Sequence, residues 1–166
     1  DWQNYQKALN NSQKFSSSGS QQNLFNSSNF SFLEKIDIEL FNLANLAEKN
    51  YHRNPVNCLI KLKQFSELLA QSVVSYFRLY PIPGESQQEL LNRLYYMGHL
   101  PDNIYQMFKQ IKEIGEQAIR YHIGDPKTSL QYLQYARELS VWFYRNFGGD
   151  PDFLPEPFMP PNNEFS

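Results

Sequence analysis

Three helix-start signals constrain this chain more than anything else in it. Asn54-Pro55 and Asp125-Pro126 each put a capping side chain directly before a proline, and Ser86 stands three residues ahead of Glu89. A short polar side chain at the cap accepts bonds from amides that the first helical turn leaves unpaired, and proline at the first helical position forfeits no bond. The S-x-x-E spacing is that of a capping box. Behind each signal apolar residues recur at helical spacing. From 54 onward the chain is therefore expected to fold as helices separated by short breaks.

The pattern predicts five helices. The first runs from about Asp37 to Tyr51, with Ile38, Phe41, Leu43, Ala44, Leu46 and Ala47 on its apolar face. The second runs from Asn54-Pro55 to about Leu79, through Leu59, Leu62, Phe65, Leu69, Val73 and Phe77, and Pro81 and Pro83 stop it. The third starts at Ser86, buries Leu90, Leu91, Leu94 and Tyr95, and closes at Gly98 as a left-handed residue. The fourth spans about Asp102 to Tyr121, with Ile104, Met107, Phe108, Ile111 and Ile114 buried and Ala118 and Ile119 also on its apolar side. The fifth starts at Asp125-Pro126 and ends at Gly148-Gly149, with Leu130, Leu133, Ala136, Leu139, Val141, Trp142 and Tyr144 facing inward. No strand pattern competes. The expected fold class is all-α, an up-and-down bundle of about five helices.

The flanks read differently. Residues 1–29 are rich in Gln, Asn and Ser, a linker composition with too little apolar surface to offset the entropy of ordering. Residues 150–166 contain DPDFLPEPFMPP, an extended, proline-stiffened segment whose Phe153, Leu154, Phe158 and Met159 are expected to lie across the helices or lead into a following domain. The bundle is thus expected over 30–149. The chain opens on Asp1 with no secretory apolar run, so it reads as a piece of a longer protein or a processed form, in a cytoplasmic setting. No apolar run approaches the ~20 residues of a membrane span, and no membrane partner is expected.

Charge and motifs remove several function classes. A net charge of −2 leaves no broad basic footprint for nucleic acid, though a local basic patch is allowed. Cys58, the single cysteine, forms no internal disulfide and falls on the second helix as a small core residue. His52, His99 and His122 are scattered, without the spacing at which imidazoles converge on zinc, and neither a metal nor another cofactor is expected. Glycine-rich phosphate loops are absent. Aromatic residues make up 16%, and Tyr95, Tyr96, Tyr121, Tyr132 and Tyr135 are candidates for base stacking or, more in keeping with helical spacing, for core and interface packing.

Two polar ladders remain. Lys63 and Glu67 are four apart on the second helix, and Lys112, Glu116 and Arg120 recur every fourth residue on the fourth, in KEIGEQAIR. Four-residue spacing stacks side chains on one helix face. Glu116 is placed to bond both Lys112 and Arg120, and to reach for Lys63 across the helix interface. Such ladders are either structural ion pairs or the frame of an active site.

The ordered set NFSFL, ANLAEKNY, NPVNCLIKLKQFSELLA, QQELLNRLYYMGHLP, FKQIKEIGEQAIRYHIGD, SLQYLQYARELSVWFYRNF and FLPEPFMPP resembles a helical domain of unknown function found in the R subunits of type I restriction enzymes and in related DEAD-box-like helicase proteins. That domain is similar to the HEPN superfamily of four-helix nucleotide-binding and ribonuclease bundles, whose signature is an arginine followed closely by a histidine on one helix. The resemblance covers about four-fifths of the chain. It sets Lys112 where the family has arginine, Gly115-Glu116 where it has glycine-asparagine, Ala118 on its alanine, Arg120 where it has the histidine, Lys63 in place of an arginine, and Glu67 on a kept glutamate. Metal-free RNA cleavage needs a group that exchanges a proton near neutral pH, and a guanidinium does not. A literal arginine–histidine pair, Arg93 and His99, is split by Gly98.

The resemblance implies a HEPN-like, non-catalytic module in contact with other domains or subunits of a restriction or helicase assembly, and with DNA or RNA as a further possible partner. Pairing into a homodimer is implied by the same likeness. The alternatives are a HEPN-type ribonuclease using Lys112, Arg120 and His122, and a nucleotide or nucleic-acid binding module without chemistry.

Overall fold

The computed structural model describes residues 29–161; all of the predicted 1–29 linker but Asn29 lies outside that range, as do 162–166. A short 3-10 turn, Ser31–Lys35, leads into five helices: α1 (Ile38–Asn50), α2 (Pro55–Tyr76), α3 (Gln87–Tyr96), α4 (Asp102–Tyr121) and α5 (Pro126–Phe147). The described residues contain no strand. The fold is an all-α bundle, and α2 packs against each of the other four helices.

The caps act as their chemistry requires. Asp37 accepts from the amides of Glu39 and Leu40, Asn54 from Asn57, Ser86 from Glu89, and Asp125 from Thr128. Pro55 and Pro126 occupy the first positions of their helices. At the end of α3, Gly98 takes φ 80°, and the amides of Gly98 and His99 return to the carbonyls of Tyr95 and Leu94 at 3.0 and 2.9 Å. This is the paired closure of a left-handed helix stop.

The structure departs from the sequence expectation at the end of α2 and at Asn29. The helix α2 ends at Tyr76 rather than near Leu79, because Arg78 adopts φ 54° and the amides of Arg78 and Leu79 bond back to Ser75 and Val74. The same glycine-type closure is thus made by an arginine, at about 1–2 kcal/mol of left-handed backbone cost. Asn29, assigned to the linker by composition, is only 2% exposed because its carboxamide is fully engaged in a buried polar cluster.

The core is built from Phe30, Leu33, Leu40, Phe65, Leu69, Leu91, Phe108, Ile111 and Leu133 with their neighbours. Leu40 lies on the inner face of α1, whereas Leu46, expected on the apolar face, is exposed. Ile119 is half exposed for a similar reason: it sits beside the buried Ala118, one residue off the line of contact. Residues 150–161 run without helix across the bundle. Phe153 packs between Phe32 and Tyr144 at ring distances of 5.0 and 4.5 Å, and Phe158 packs on the core, while Leu154 and Met159 stay exposed.

Candidate functional site

The polar ladders meet where α2 crosses α4. Gly115 is buried in α4, and a Cβ built on it would stand 2.5 Å from Lys63 Cβ. The missing side chain lets the Lys63 stem lie against the α4 backbone. One turn along α2, Glu67 takes the Lys63 ammonium in a short ion pair. One turn along α4, Glu116 Oε1 stands 3.1 Å from Lys112 Nζ. Both lysines are the more buried partners, at 21% and 17% side-chain exposure against 37% and 46% for Glu67 and Glu116. The stems cover apolar surface and the charges reach outward.

Arg120 does not join this ladder. Its guanidinium leans on the Tyr121 ring at 5.9 Å, and among the described residues it makes no ion pair with Glu116. Glu116 is committed to Lys112, and Glu67 rather than Glu116 takes Lys63, so the expected double bridge from Glu116 to Arg120 and Lys63 is replaced by two separate pairs. Arg120 lies in the last turn of α4, where His122 at φ 53° ends the helix. Glu113, Glu116, Gln117, Arg120 and Tyr121 line a shallow surface hollow of about 280 Å³.

The histidines stay apart. His52 sits edge-on to Tyr51, His99 stacks on Phe77 at 3.7 Å, and His122 caps α4 with its amide bonded to Ala118. Arg93 is held by Glu85 through two 2.9 Å bonds, while His99 has Phe77 as its ring partner. Among the described residues, no three of His, Cys, Asp and Glu converge as a metal site. Cys58 is fully buried and burial pushes its thiol up to about 12, which fits a core position. Of the candidate tyrosines, Tyr95 stacks on Tyr105 and bonds Asp102, Tyr132 and Tyr135 meet each other edge-to-face and pack half-buried on the core, and Tyr96 and Tyr121 are exposed. No helix among the described residues is long and apolar enough to cross a membrane.

A second polar centre gathers around Arg137. Arg137, on the inner side of α5, is 6% exposed and donates to Asn29 Oδ1 at 3.3 Å and, through a short bond, to the carbonyl of Glu156. Asn29 donates to Glu48 Oε1 at 2.8 Å and to the Met159 carbonyl at 2.7 Å, and accepts from the Met159 amide at 2.9 Å. Burial lowers the Arg137 pKa, and the nearby Glu48 charge opposes that shift. The signal in the sequence was a charge in apolar register: Arg137 falls four residues after Leu133 and next to Ala136, both fully buried.

Comparison with known proteins gives one clear likeness. The chain is 32% identical over 138 residues to the type I restriction enzyme EcoKI endonuclease subunit of Escherichia coli. The match takes in 83% of this chain and 12% of that protein's length. No family model matches the chain, and no solved structure matches it.

Proposed function

We propose that the chain is a non-catalytic helical module of a type I restriction endonuclease subunit, or of a related helicase-like defence protein. In this reading it contacts neighbouring domains or subunits in the cytoplasm. The observation that carries it is the extent of the likeness: 83% of the chain aligns with one stretch of the Escherichia coli subunit, as expected of a shared structural unit rather than a shared motif. The bundle is read as HEPN-like, with Lys112, Glu116, Arg120, Lys63 and Glu67 on the positions of a polar face that has lost its proton-transfer group. Two self-contained Lys–Glu pairs support a structural role for that face. A guanidinium, the group Arg120 presents, is no general base.

Incubation of the purified chain with single-stranded RNA and duplex DNA tests this. The expected result is intact nucleic acid. Cleavage that disappears in Arg120→Ala overturns the non-catalytic reading in favour of a ribonuclease. Salt-sensitive binding without cleavage would add nucleic acid to the contacts. Cross-linking of the parent protein, assembled with its partner subunits, should join the exposed Lys127 to residues outside the module. Cross-links confined to the module count against a contact role.

A further inference from the structure

Residues 153–161 are held to the bundle at two places of different character. The first is apolar: Phe153 wedges between Phe32 and Tyr144, and Arg145 Nε donates to its carbonyl at 2.9 Å. The second is polar and concentrated on very few groups. Asn29 makes both a donor and an acceptor bond to the Met159 backbone, Arg137 bonds the Glu156 carbonyl, and the Tyr51 hydroxyl donates to the Pro161 carbonyl at 3.0 Å.

Among the described residues, little else retains this outer half. Pro155, Pro157, Pro160 and Pro161 have no amide to donate, Leu154 and Met159 are 86% and 61% exposed, and only Phe158 packs on the core. Few apolar contacts and a small set of polar ties are the marks of a segment that opens locally, well below the cost of global unfolding. Opening also lets water reach Asn29, Glu48 and Arg137. Arg137 Nε, buried without a hydrogen-bond partner when the strap is closed, gains water when it opens, which keeps the energy gap between the two states small.

We propose that Asn29 and Arg137 form a latch that keeps residues 156–161 as a detachable strap, and that displacement of the chain at Asn29 releases it. Asn29 is where the polypeptide preceding the bundle meets the polypeptide leaving it, so the latch makes the position of one depend on the other. The strap also forms one side of a groove of about 630 Å³ between α4 and α5, walled by Ile104, Met107, Val141 and Trp142. Release removes that side and bares Arg137. Phe153 stays in its wedge and acts as the hinge. In a longer polypeptide, this couples whatever precedes the module to whatever follows it through a single carboxamide.

Limited chymotrypsin digestion of the full chain reads the strap directly, with cleavage of the Phe158–Met159 bond followed by mass spectrometry. Asn29→Ala should speed that cleavage by about tenfold, with far-UV circular dichroism unchanged, since it removes both bonds to the Met159 backbone and the Asn29 tie to Arg137. Inserting two glycines between Asn29 and Phe30 keeps the carboxamide but moves it, and should give the same acceleration. Tyr51→Phe removes a single bond and should have a smaller effect in the same direction. An unchanged cleavage rate in both the Asn29→Ala and insertion variants overturns the latch. So does equal acceleration at sites inside α1 to α5, which would mean the bundle loosens as a whole.

Discussion

Lys63 lies directly against Gly115: the Cβ that glycine lacks would fall 2.5 Å from Lys63 Cβ and 2.8 Å from Lys63 Cδ. The close approach of α2 and α4, the two helices that carry the polar ladders, depends on that vacancy. Gly115→Ala tests it with opposing terms. Alanine gains about 1 kcal/mol of helix propensity, whereas a methyl forced into a packed crossing costs about 1–3 kcal/mol. The contact is with a Cβ fixed to the backbone rather than with a free side-chain end, so the clash should win. A lower urea midpoint is expected; an equal or higher midpoint would show that the helices separate without penalty.

The ladder itself should be weak. Lys112→Met and Glu116→Gln, made singly and together, should show a coupling of about 0.3–0.5 kcal/mol at low salt. Both side chains reach solvent, so the coupling should vanish near 1 M salt, where the screening length is about 3 Å. Arg120→Ala, which breaks no ion pair among the described residues, should change stability by no more than about 0.5 kcal/mol. A coupling above 1.5 kcal/mol that persists in salt would instead indicate a buried, organised charge cluster.

Helix starts were legible because they are local. Asp37, Asn54, Ser86 and Asp125 each bond amides two or three residues ahead, and such geometry is written in adjacent letters. The end of α2 was not, because Arg78 takes a left-handed turn that sequence reasoning reserves for glycine. The Glu116 bridge to Arg120 was reasonable from spacing alone, but spacing does not record that Tyr121 offers the guanidinium a ring face. The Arg137 cluster is not legible in the sequence because its partners are distant: Asn29 is 108 positions away. A charge inside an apolar register is a sign of a buried network, but not of which residues complete it.

Arg137 should matter far more than Arg120. Replacing it with methionine keeps much of the volume and strips Asn29, Glu48 and the Glu156 carbonyl of a shared cation. Breaking a buried charge cluster from one side costs about 3–5 kcal/mol. Arg137→Lys keeps the charge but not the forked donors, so its loss should be intermediate. Equilibrium denaturation of the three proteins checks the order. A methionine variant as stable as the parent would mean that the cluster contributes nothing net.

Cys58 provides a pH test of the core. Its thiol is fully buried on α2, and burial raises its pKa to about 12 from an ordinary value of about 8.5. An acid whose folded pKa is raised resists losing its proton in the native state, while the unfolded chain releases it freely. Stability from this group is therefore complete below about pH 8.5 and declines as pH rises towards 12, by at most about 1.4 kcal/mol per pH unit. Tyr95 and Tyr132 are raised as well and titrate in the same alkaline range, so the thiol must be isolated by difference. Denaturation midpoints of the parent and of Cys58→Ala should run parallel from pH 6 to 8 and converge above pH 9, as the parent loses an advantage the alanine variant never had. At pH 8 the folded parent should also leave an aromatic disulfide reagent unconsumed until denaturant is added. Prompt reaction of the folded protein would place the thiol within reach of solvent and remove it from the core.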